Sequence, residues 1–481
     1  MKGWNLLGLF VLLLTWSTVC QRADAEPDRP NFVVIVADDL GWRDPGFMGS
    51  DYHHTPNLDR LASEGLIFQR AYANAPVCAP TRAAILSGMY SPRTGVYTVG
   101  RGPTDSNALP LITPTNRSSL PSDIVTLPEA LQQAGYATGH IGKWHLGRPT
   151  GNTGPEAHGF DSTVGASRGG GTRTYFAPYG IATLDADATP GEYLTHRLTE
   201  EAIGFIHDHR DEPFFLWLAH YAMHTPIEPE PDVLADLQDR PRGQLHDYPE
   251  YAAMLESLDT SVGQLLAAID DAGLTERTVI VFASDNGGGN RVTSMAPLSG
   301  SKGSLSEGGI RIPCVVKFPG VVPPDAQTEQ PVILMDLYPT LLELAGVRPE
   351  KSQPVDGVSW VSLLSDPTRR LADRSLGWYV PVYSTGPRGN LSKRPSAVIA
   401  RGRWKLHYDF ETDTSRLYDL QTDSSETRNL AAAQPAALSS MQRELQAWLR
   451  ATDATPPQPN PAYTGESTTV SRERRRNRRA D

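Results

Sequence analysis

Short apolar runs alternate with helical patterns along most of the chain, over about residues 31–345. Continuous apolar runs at 31–37, 213–219 and 278–284 are typical of strands that are buried on both faces. The segment 251–273 instead has apolar residues at helical spacing and ends at a glycine, which predicts a helix. Alternating strands and helices of this kind predict a mostly parallel sheet covered by helices on both sides.

A different pattern begins after about residue 365. Residues 396–409 and 416–421 predict short strands of an antiparallel sheet, and residues 436–451 predict a helix that packs on it. Beyond residue 455 the chain is rich in Pro, Ser, Thr and Arg, which predicts a disordered basic tail. Such a tail is either a solvated end of the chain or a segment with weak affinity for polyanions.

The first 25 residues have the features of an export signal. Lys2 precedes an apolar run at 6–16 that is too short to span a bilayer, and Ala23-Asp24-Ala25 fits a small-x-small cleavage pattern. We therefore predict cleavage after Ala25 and a periplasmic or secreted protein with no integral membrane segment. A lipoprotein anchor at Cys20 is the alternative. The predicted division is a signal peptide at 1–25, a large N-terminal domain at 26–365, an α+β subdomain at 366–455 and the tail at 456–481.

Composition narrows the fold class and the possible partners. The chain has 481 residues, of which 39% are hydrophobic, so it can form a sizeable core. Its formal net charge of -11 does not favour nucleic acid or anionic membranes as partners. The predicted fold class is α/β, with a large mixed, mostly parallel sheet sandwiched by helices and a smaller C-terminal antiparallel sheet plus helix.

Cleavage after Ala25 leaves two cysteines, Cys78 and Cys314, which could form one disulfide in an oxidising compartment. Cys314 lies in a β-branched run and is typical of a small, buried hydrophobic residue. Cys78 lies between two prolines, with Arg82 four residues further on. A structural thiol needs no such setting, so Cys78 is a candidate for chemistry.

Acidic pairs follow two of the predicted strands. Asp38-Asp39 comes after the first apolar run, and Asp285-Asn286 comes after the run at 278–284. Ligands bind beyond the carboxyl ends of parallel strands, and oxygen-bearing side chains there suit a hard divalent cation such as Ca²⁺ or Mg²⁺. A cation also relieves the repulsion between adjacent carboxylates. Either pair alone is explained by an ordinary turn or helix cap, but two pairs at equivalent strand ends favour a metal site.

Basic and imidazole side chains form a second set near the predicted strand ends. Each one alone has an ordinary explanation, as a polar residue near a strand or as a surface lysine. Together with a metal, they suit a tetrahedral oxyanion such as sulfate or phosphate, and the reaction class is metal-assisted ester hydrolysis. The residues are Lys143, His145, His220, His224, Lys302 and Arg311.

The sequence CAPTR at 78–82 matches the Cys-x-Pro-x-Arg core of the type I sulfatases, the formylglycine-dependent family within the alkaline phosphatase superfamily. Further blocks resemble that family in the same order, over roughly residues 30–432. One departure is Met89, where the family more often has Arg or Lys. The blocks are VADDLG, HTPNLDRLASEG, GKWHLG, SDNGG, KGSLSEGGIRIP and RLYDLQTDSSETRNLA.

This resemblance implies an alkaline phosphatase-like fold, with catalysis by the domain at 26–365. It also implies that a maturation enzyme converts Cys78 to Cα-formylglycine (3-oxoalanine) before folding. The aldehyde hydrates to a geminal diol, which attacks the sulfur of a sulfate ester. The family's usual metal is Ca²⁺, one per chain. Carried over by position, its ligands are Asp38, Asp39, Asp285, Asn286 and the modified residue 78.

The resemblance also implies a role for each basic residue. Lys143 and Lys302 neutralise charge on the sulfate oxygens, and His224 with Lys302 protonates the leaving oxygen. His145 takes a proton from the second hydroxyl of the diol, which expels sulfate. Arg82 orients the nucleophile. His220 has no matched catalytic role, and we expect it to have a structural one.

Three functions are weighed. The first is a sulfatase acting on a sulfated carbohydrate, and the second is a phosphonate monoester or phosphodiester hydrolase with the same nucleophile. Asn286 favours the first, because the relatives of the second kind generally have histidine there. The third is a non-catalytic sulfoglycan-binding protein with unconverted Cys78. Substrate contacts are predicted in the loops at 166–180 or 101–119.

Overall fold

The computed structural model describes Met1 and residues 29–100, 107–167, 169–385 and 391–464. The predicted cleavage site after Ala25 and most of the predicted basic tail lie outside the described residues. Within them, no helix combines the length and the apolar character needed to cross a bilayer.

Nineteen strands are present in the described residues. In chain order they are β1 (Asn31–Ala37), β2 (Leu66–Phe68), β3 (Ala71–Tyr72), β4 (Leu111–Ile112), β5 (Ala137–Gly142), β6 (Ser162–Val164), β7 (Phe214–Ala219), β8 (Thr278–Ser284), β9 (Arg311–Ile312), β10 (Cys314–Lys317), β11 (Ala326–Thr328), β12 (Val332–Ile333), β13 (Leu376–Val380), β14 (Ser384–Thr385), β15 (Leu391–Lys393), β16 (Ser396–Arg401), β17 (Trp404–Asp409), β18 (Thr414–Asp419) and β19 (Gln458–Pro459).

Twelve α-helices accompany these strands in the described part of the chain. In the same order they are α1 (Pro56–Ser63), α2 (Cys78–Ser87), α3 (Ser91–Thr94), α4 (Leu127–Gln133), α5 (Ala182–Asp185), α6 (Leu194–Asp208), α7 (Pro231–Asp236), α8 (Pro249–Asp271), α9 (Glu307–Ile310), α10 (Leu337–Leu344), α11 (Val361–Ser365) and α12 (Pro435–Ala451).

The largest sheet has eight strands in the order β11-β2-β10-β8-β1-β7-β5-β6. β1 pairs in parallel with β7 on one side and β8 on the other, while β10 runs antiparallel to both of its neighbours. Because successive side chains point to opposite faces, Phe32 and Val34 lie in one core cluster and Val33 and Ile35 lie in another. The predicted mixed, mostly parallel sheet with two buried faces is therefore confirmed.

Helices cover both faces of this sheet. On one face α8 packs against α6, and on the other α2, α4 and α10 contact one another. The apolar residues of α8 that recur at helical spacing lie together in the core cluster on its side. They are Leu255, Leu258, Val262, Leu265 and Ile269.

A smaller antiparallel sheet lies in the C-terminal part of the chain, with strand order β13-β16-β17-β18. α12 packs on its strands β16 and β17, as the pattern predicted. The predicted tail does not begin at residue 456, because β19 pairs with β4 and the backbone N–H of Asn460 donates to the Pro110 carbonyl at 2.9 Å. Composition does not reveal this pairing, because it depends on a segment far away in the chain.

The two cysteines in the described residues, Cys78 and Cys314, are free and buried. Cys314 lies in β10, inside the core, where it behaves as the small hydrophobic residue that the sequence predicted. Cys78 begins α2. The disulfide that the sequence left open is therefore not formed, because each thiol lies in its own packed environment.

Candidate active site

Four adjacent strands of the large sheet deliver the chemically interesting residues to one edge. In the order β8-β1-β7-β5 they are neighbours, and their carboxyl ends meet where ligands bind in sheets of this type. Asp285 follows β8, Asp38 follows β1, His224 lies in the loop after β7, and Lys143 follows β5. The sheet order thus brings together segments that are far apart in the sequence.

Cys78 is the first residue of α2 and faces this edge. Val77 before it is extended, and Pro80 occupies the first turn of the helix, where its missing N–H is not needed. Cys78 Sγ lies 3.2 Å from Nδ1 of His145. Burial raises the pKa of the Cys78 thiol to about 11, so the thiol is protonated at neutral pH.

Arg82, one turn further along α2, holds two of these segments together. Its Nε donates to Oδ2 of Asp285 at 2.9 Å, and Nη2 approaches the same oxygen at 2.8 Å. Its Nη1 donates to the backbone carbonyl of Lys143 at 2.7 Å. Nε and Nη1 therefore make hydrogen bonds, whereas Nη2 makes only the ion-pair contact and has no hydrogen-bond partner in the described residues; the guanidinium is buried.

Lysines and an amide hold the acidic pair after β1. The ammonium of Lys143 contacts Oδ2 of Asp38, and Lys302 Nζ donates to Oδ2 of Asp39 at 2.6 Å. Asn286 Nδ2 donates to Oδ1 of Asp39 at 2.8 Å, and His224 Nε2 lies 3.9 Å from Asp39 Oδ2. Each of these contacts joins residues from different strand ends.

The same residues fit a hard cation. Oδ1 of Asp38 and Oδ1 of Asn286 are buried and have no hydrogen-bond partner among the described residues. Ligand atoms of Asp38, Cys78 and Asp285 lie within 4.8 Å of one another. Burial, then repulsion from Asp38, raises the pKa of Asp285 to about 6 despite its contact with Arg82. Unused oxygens and crowded carboxylates are the features that a bound Ca²⁺ would satisfy.

Burial also sets the protonation of His145. Its pKa is lowered to about 2, first by burial and then by the nearby Lys143. The imidazole is therefore neutral at neutral pH. Lys143 shows the opposite balance: burial lowers its pKa, but Asp38, together with Cys78 and Asp285, raises it overall.

Two of the basic residues that the sequence singled out, Arg311 and His220, lie outside the group of residues around Cys78. Arg311 donates from Nε and Nη2 to the Gln69 carbonyl at 3.0 and 2.6 Å, and its guanidinium lies 5.1 Å from the Trp42 ring. His220 is fully buried, and neither ring nitrogen has a hydrogen-bond partner in the described residues. Grouping Arg311 with the strand-end cations was wrong, because its side chain is held by the Gln69 carbonyl and the Trp42 ring.

Two further segments approach the site, of which the sequence singled out the loop at 166–180 but not Lys393. A methyl group on Gly170 would lie 2.0 Å from the His145 ring, and one on Gly171 would lie 3.5 Å from the His224 ring. Gly170 and Gly171 of the loop at 166–180 therefore lie against the two imidazoles. Lys393, on β15, places its Nζ beside Gly303, next to Lys302, and burial lowers its pKa to about 8.

Comparison with known proteins identifies the family. A family model described as "Sulfatase" matches residues 30–347, and a second, "N-sulphoglucosamine sulphohydrolase, C-terminal", matches residues 301–454. The chain belongs to the sulfatase family. It is a sulfuric ester hydrolase with an alkaline phosphatase-like α/β fold, as the resemblance in CAPTR and the ordered blocks implied.

Individual sulfatases match most of the chain. A sulfatase of Formosa agariphila is 32% identical and covers 93% of this chain and 94% of its own. The N-acetylgalactosamine-6-sulfatase of Mus musculus is 31% identical, and the match covers 87% of this chain and 80% of that protein. The solved structure of Ps i-CgsB in complex with k-i-k-neocarrahexaose has 28% identity and a TM-score of 0.73, and covers 94% of this chain and 97% of that one.

Proposed function

We propose that this sulfatase removes sulfate from a sulfated carbohydrate, with residue 78 as the nucleophile and Ca²⁺ as the metal. The observation that carries the proposal is the position of Cys78, which shares one cluster of ligand atoms with Asp38 and Asp285 and contacts His145. A carbohydrate substrate is supported by two similar proteins. One is named for N-acetylgalactosamine 6-sulfate, and the other was solved with a neocarrahexaose.

The state of Cys78 supports its conversion to formylglycine. A thiol with a pKa near 11 is a poor nucleophile at neutral pH, because only the thiolate attacks readily. The hydrated aldehyde instead offers oxygen, which suits a hard metal better than sulfur does. Cys78 is only 1% exposed, so a maturation enzyme must act on it before the chain folds.

Ca²⁺ would be held by Asp38, Asp39, Asp285, Asn286 and the converted residue 78. When bound, the ion supplies positive charge for the sulfate oxygens and for a hydroxyl that must lose its proton. The unpartnered oxygens of Asp38 and Asn286 support this assignment.

The basic and imidazole side chains around residue 78 would each have a separate role in hydrolysis. Lys143 and Lys302 bring positive charge to the sulfate oxygens, and Arg82 holds residue 78 and Asp285 in place. His145, which contacts residue 78, accepts a proton from a hydroxyl of that residue. His224, with Lys302, donates a proton to the departing alcohol oxygen.

The test is to produce the protein with and without a formylglycine-generating enzyme and to analyse the peptide across residue 78 by mass spectrometry. We expect the aldehyde in the first sample and hydrolysis of an aryl sulfate in proportion to the converted fraction, with loss of activity on chelation of Ca²⁺. An unmodified thiol with full activity would exclude this mechanism. Glycan binding without any turnover would instead support the non-catalytic alternative.

Rates on matched aryl sulfate and aryl phosphonate esters test the second alternative, and faster phosphonate turnover would reverse our assignment. The sugar is identified by screening desulfation of defined sulfated oligosaccharides, including carrageenan fragments and N-acetylgalactosamine 6-sulfate. We further infer export through residues 1–25, which N-terminal sequencing of the mature protein tests.

A further inference from the structure

A second cluster of metal-ligating side chains lies outside the set proposed for sulfate-ester hydrolysis. Asp44 lies in the turn after β1, His53 precedes α1, and His246 precedes α8. All three residues are buried. One ligand atom from each lies within 4.8 Å of the other two. Neither the resemblance nor the proposed mechanism uses any of them.

The hydrogen bonds of both histidines leave Nε2 free. His53 Nδ1 lies 3.0 Å from the backbone carbonyl oxygen of Asp44, and His246 Nδ1 lies 3.0 Å from Oδ1 of Asp51. Because both partners accept, Nδ1 carries the hydrogen in each ring, and Nε2 of a neutral ring has a lone pair. A carbonyl or carboxylate behind Nδ1 is the usual support of a metal-binding histidine.

The distance between His246 and Asp44 also suits two ligands of one metal ion. His246 Nε2 lies 3.4 Å from Asp44 Oδ1, which is longer than the roughly 2.7–2.9 Å of a charge-assisted hydrogen bond. This nitrogen is buried and has no hydrogen-bond partner within the described residues. Ligands about 2.0–2.1 Å from a tetrahedral ion lie about 3.3 Å apart, which is close to the separation observed.

Asp44 is oriented for such a role. Its Oδ2 accepts from the Gly41 backbone N–H and from the Tyr251 hydroxyl, both at 2.6 Å. Its Oδ1 accepts from the Thr293 hydroxyl and faces His246. The carboxylates of Asp44 and Asp51 bring negative charge to the cluster, which a bound cation would compensate.

We propose that Asp44, His53 and His246 bind a divalent transition-metal ion such as Zn²⁺. Two imidazoles and one carboxylate suit zinc, whereas Ca²⁺ takes six to eight oxygen ligands. The ion links the turn after β1 to the start of α8. Tyr251 on α8 also reaches the backbone carbonyl of Asp39 at 3.4 Å, so the ion braces the chain beside the sulfate site.

The experiment measures Zn²⁺ and Co²⁺ binding to the full chain carrying Cys78→Ser, with Ca²⁺ in excess, so that neither the thiol nor the hard-cation site competes. We expect one Zn²⁺ per chain after dialysis, a visible d–d spectrum with Co²⁺, and a rise in melting temperature with Zn²⁺. His53→Ala and His246→Ala should lose all three signals. His209→Ala, which removes an imidazole paired with Glu212 at the surface, should keep them.

Asp51→Asn tests whether the histidine variants lose Zn²⁺ binding only because they misfold. It keeps all three ligands but removes the carboxylate behind His246, and Zn²⁺ affinity should fall about 10–100-fold. The proposal is wrong if the Cys78→Ser chain retains no Zn²⁺, or if His246→Ala binds Zn²⁺ as tightly as its parent. Sulfate hydrolysis is not a readout in this experiment, so its outcome is independent of the proposed function.

Discussion

At the scale of single residues, the acids around Cys78 each have a cation of their own. Buried charges are tolerated when they are paired, and removing one partner costs about 3–5 kcal/mol. Substitutions here therefore change stability as well as chemistry, and the two must be measured separately. The pairs are Asp38 with Lys143, Asp39 with Lys302, and Asp285 with Arg82.

Arg82→Lys should lower kcat by about 10²-fold. A lysine ammonium cannot bind Asp285 and the Lys143 carbonyl at the same time, as the guanidinium does. A resulting displacement of about 1 Å at the site is enough for such a loss. The measurement is aryl sulfate hydrolysis, corrected for the converted fraction of residue 78. The matched control is Arg93→Lys, since Arg93 binds Asp356 and Asp453 away from the site. Equal losses of activity in the two variants would contradict a local role for Arg82.

Gly170→Ala tests the loop that lies against the imidazoles. The added methyl group would lie 2.0 Å from the His145 ring, so either the ring or the loop must move. We expect kcat/KM to fall about 10²-fold, because the base is displaced. Gly169→Ala is the control, since a methyl group there meets no atom within 4 Å. Unchanged kinetics in Gly170→Ala would show that the loop does not restrain His145.

At the scale of elements, the buried strands were the most predictable part of the fold. β1, β7 and β8 follow the apolar runs to within one residue, because strands buried on both faces need no polar positions. α2 was not predicted, because the two prolines that flank Cys78 interrupt any helical pattern there. Pro80 in fact lies in the first helical turn, where proline is tolerated, so it does not prevent the helix.

Contacts between elements depend on a buried network that the pattern does not show. Lys405 on β17 is fully buried, donates to Glu307 of α9 at 2.8 Å and lies 3.1 Å from Glu426. Lys405→Met should lower the free energy of unfolding by about 3–5 kcal/mol, because both carboxylates lose their cation. Chemical denaturation measures the loss. Lys317→Met removes a pair with the exposed Glu64 and should cost less than about 1 kcal/mol.

The same network predicts how stability depends on pH. Burial alone would raise the pKa of Glu426, but Lys405 and then His407 lower it from 4.5 to about 2. A carboxyl with a lowered pKa contributes stability above its unfolded value, and that contribution is lost as the pH falls toward 2. The free energy of unfolding should therefore fall more steeply below pH 4.5 in the parent than in Lys405→Met. Identical slopes would contradict this pairing.

At the scale of the whole molecule, the residue set around Cys78 could be proposed from the sequence, but its geometry could not. The resemblance named residues on separate segments, while their meeting depends on the order of the strands in the sheet. Proximity to a strand end misplaced Arg311, whose direction is set by packing on Trp42. Lys393 approaches the site from the short strand β15 and Gly170 approaches it from a loop, so no core periodicity identifies them.

The C-terminal sheet shares its core with the rest of the chain, which predicts one unfolding transition. The indole N–H of Trp378 donates to the Ala73 carbonyl at 2.8 Å, and Tyr72 and Ile310 lie in the same core cluster as Leu406. A chain that stops at Ser365 exposes this cluster and should be insoluble or lack a cooperative melt. Calorimetry of the full chain should give equal calorimetric and van't Hoff enthalpies. Two separate transitions, or a stable shortened chain, would show that the two parts fold independently.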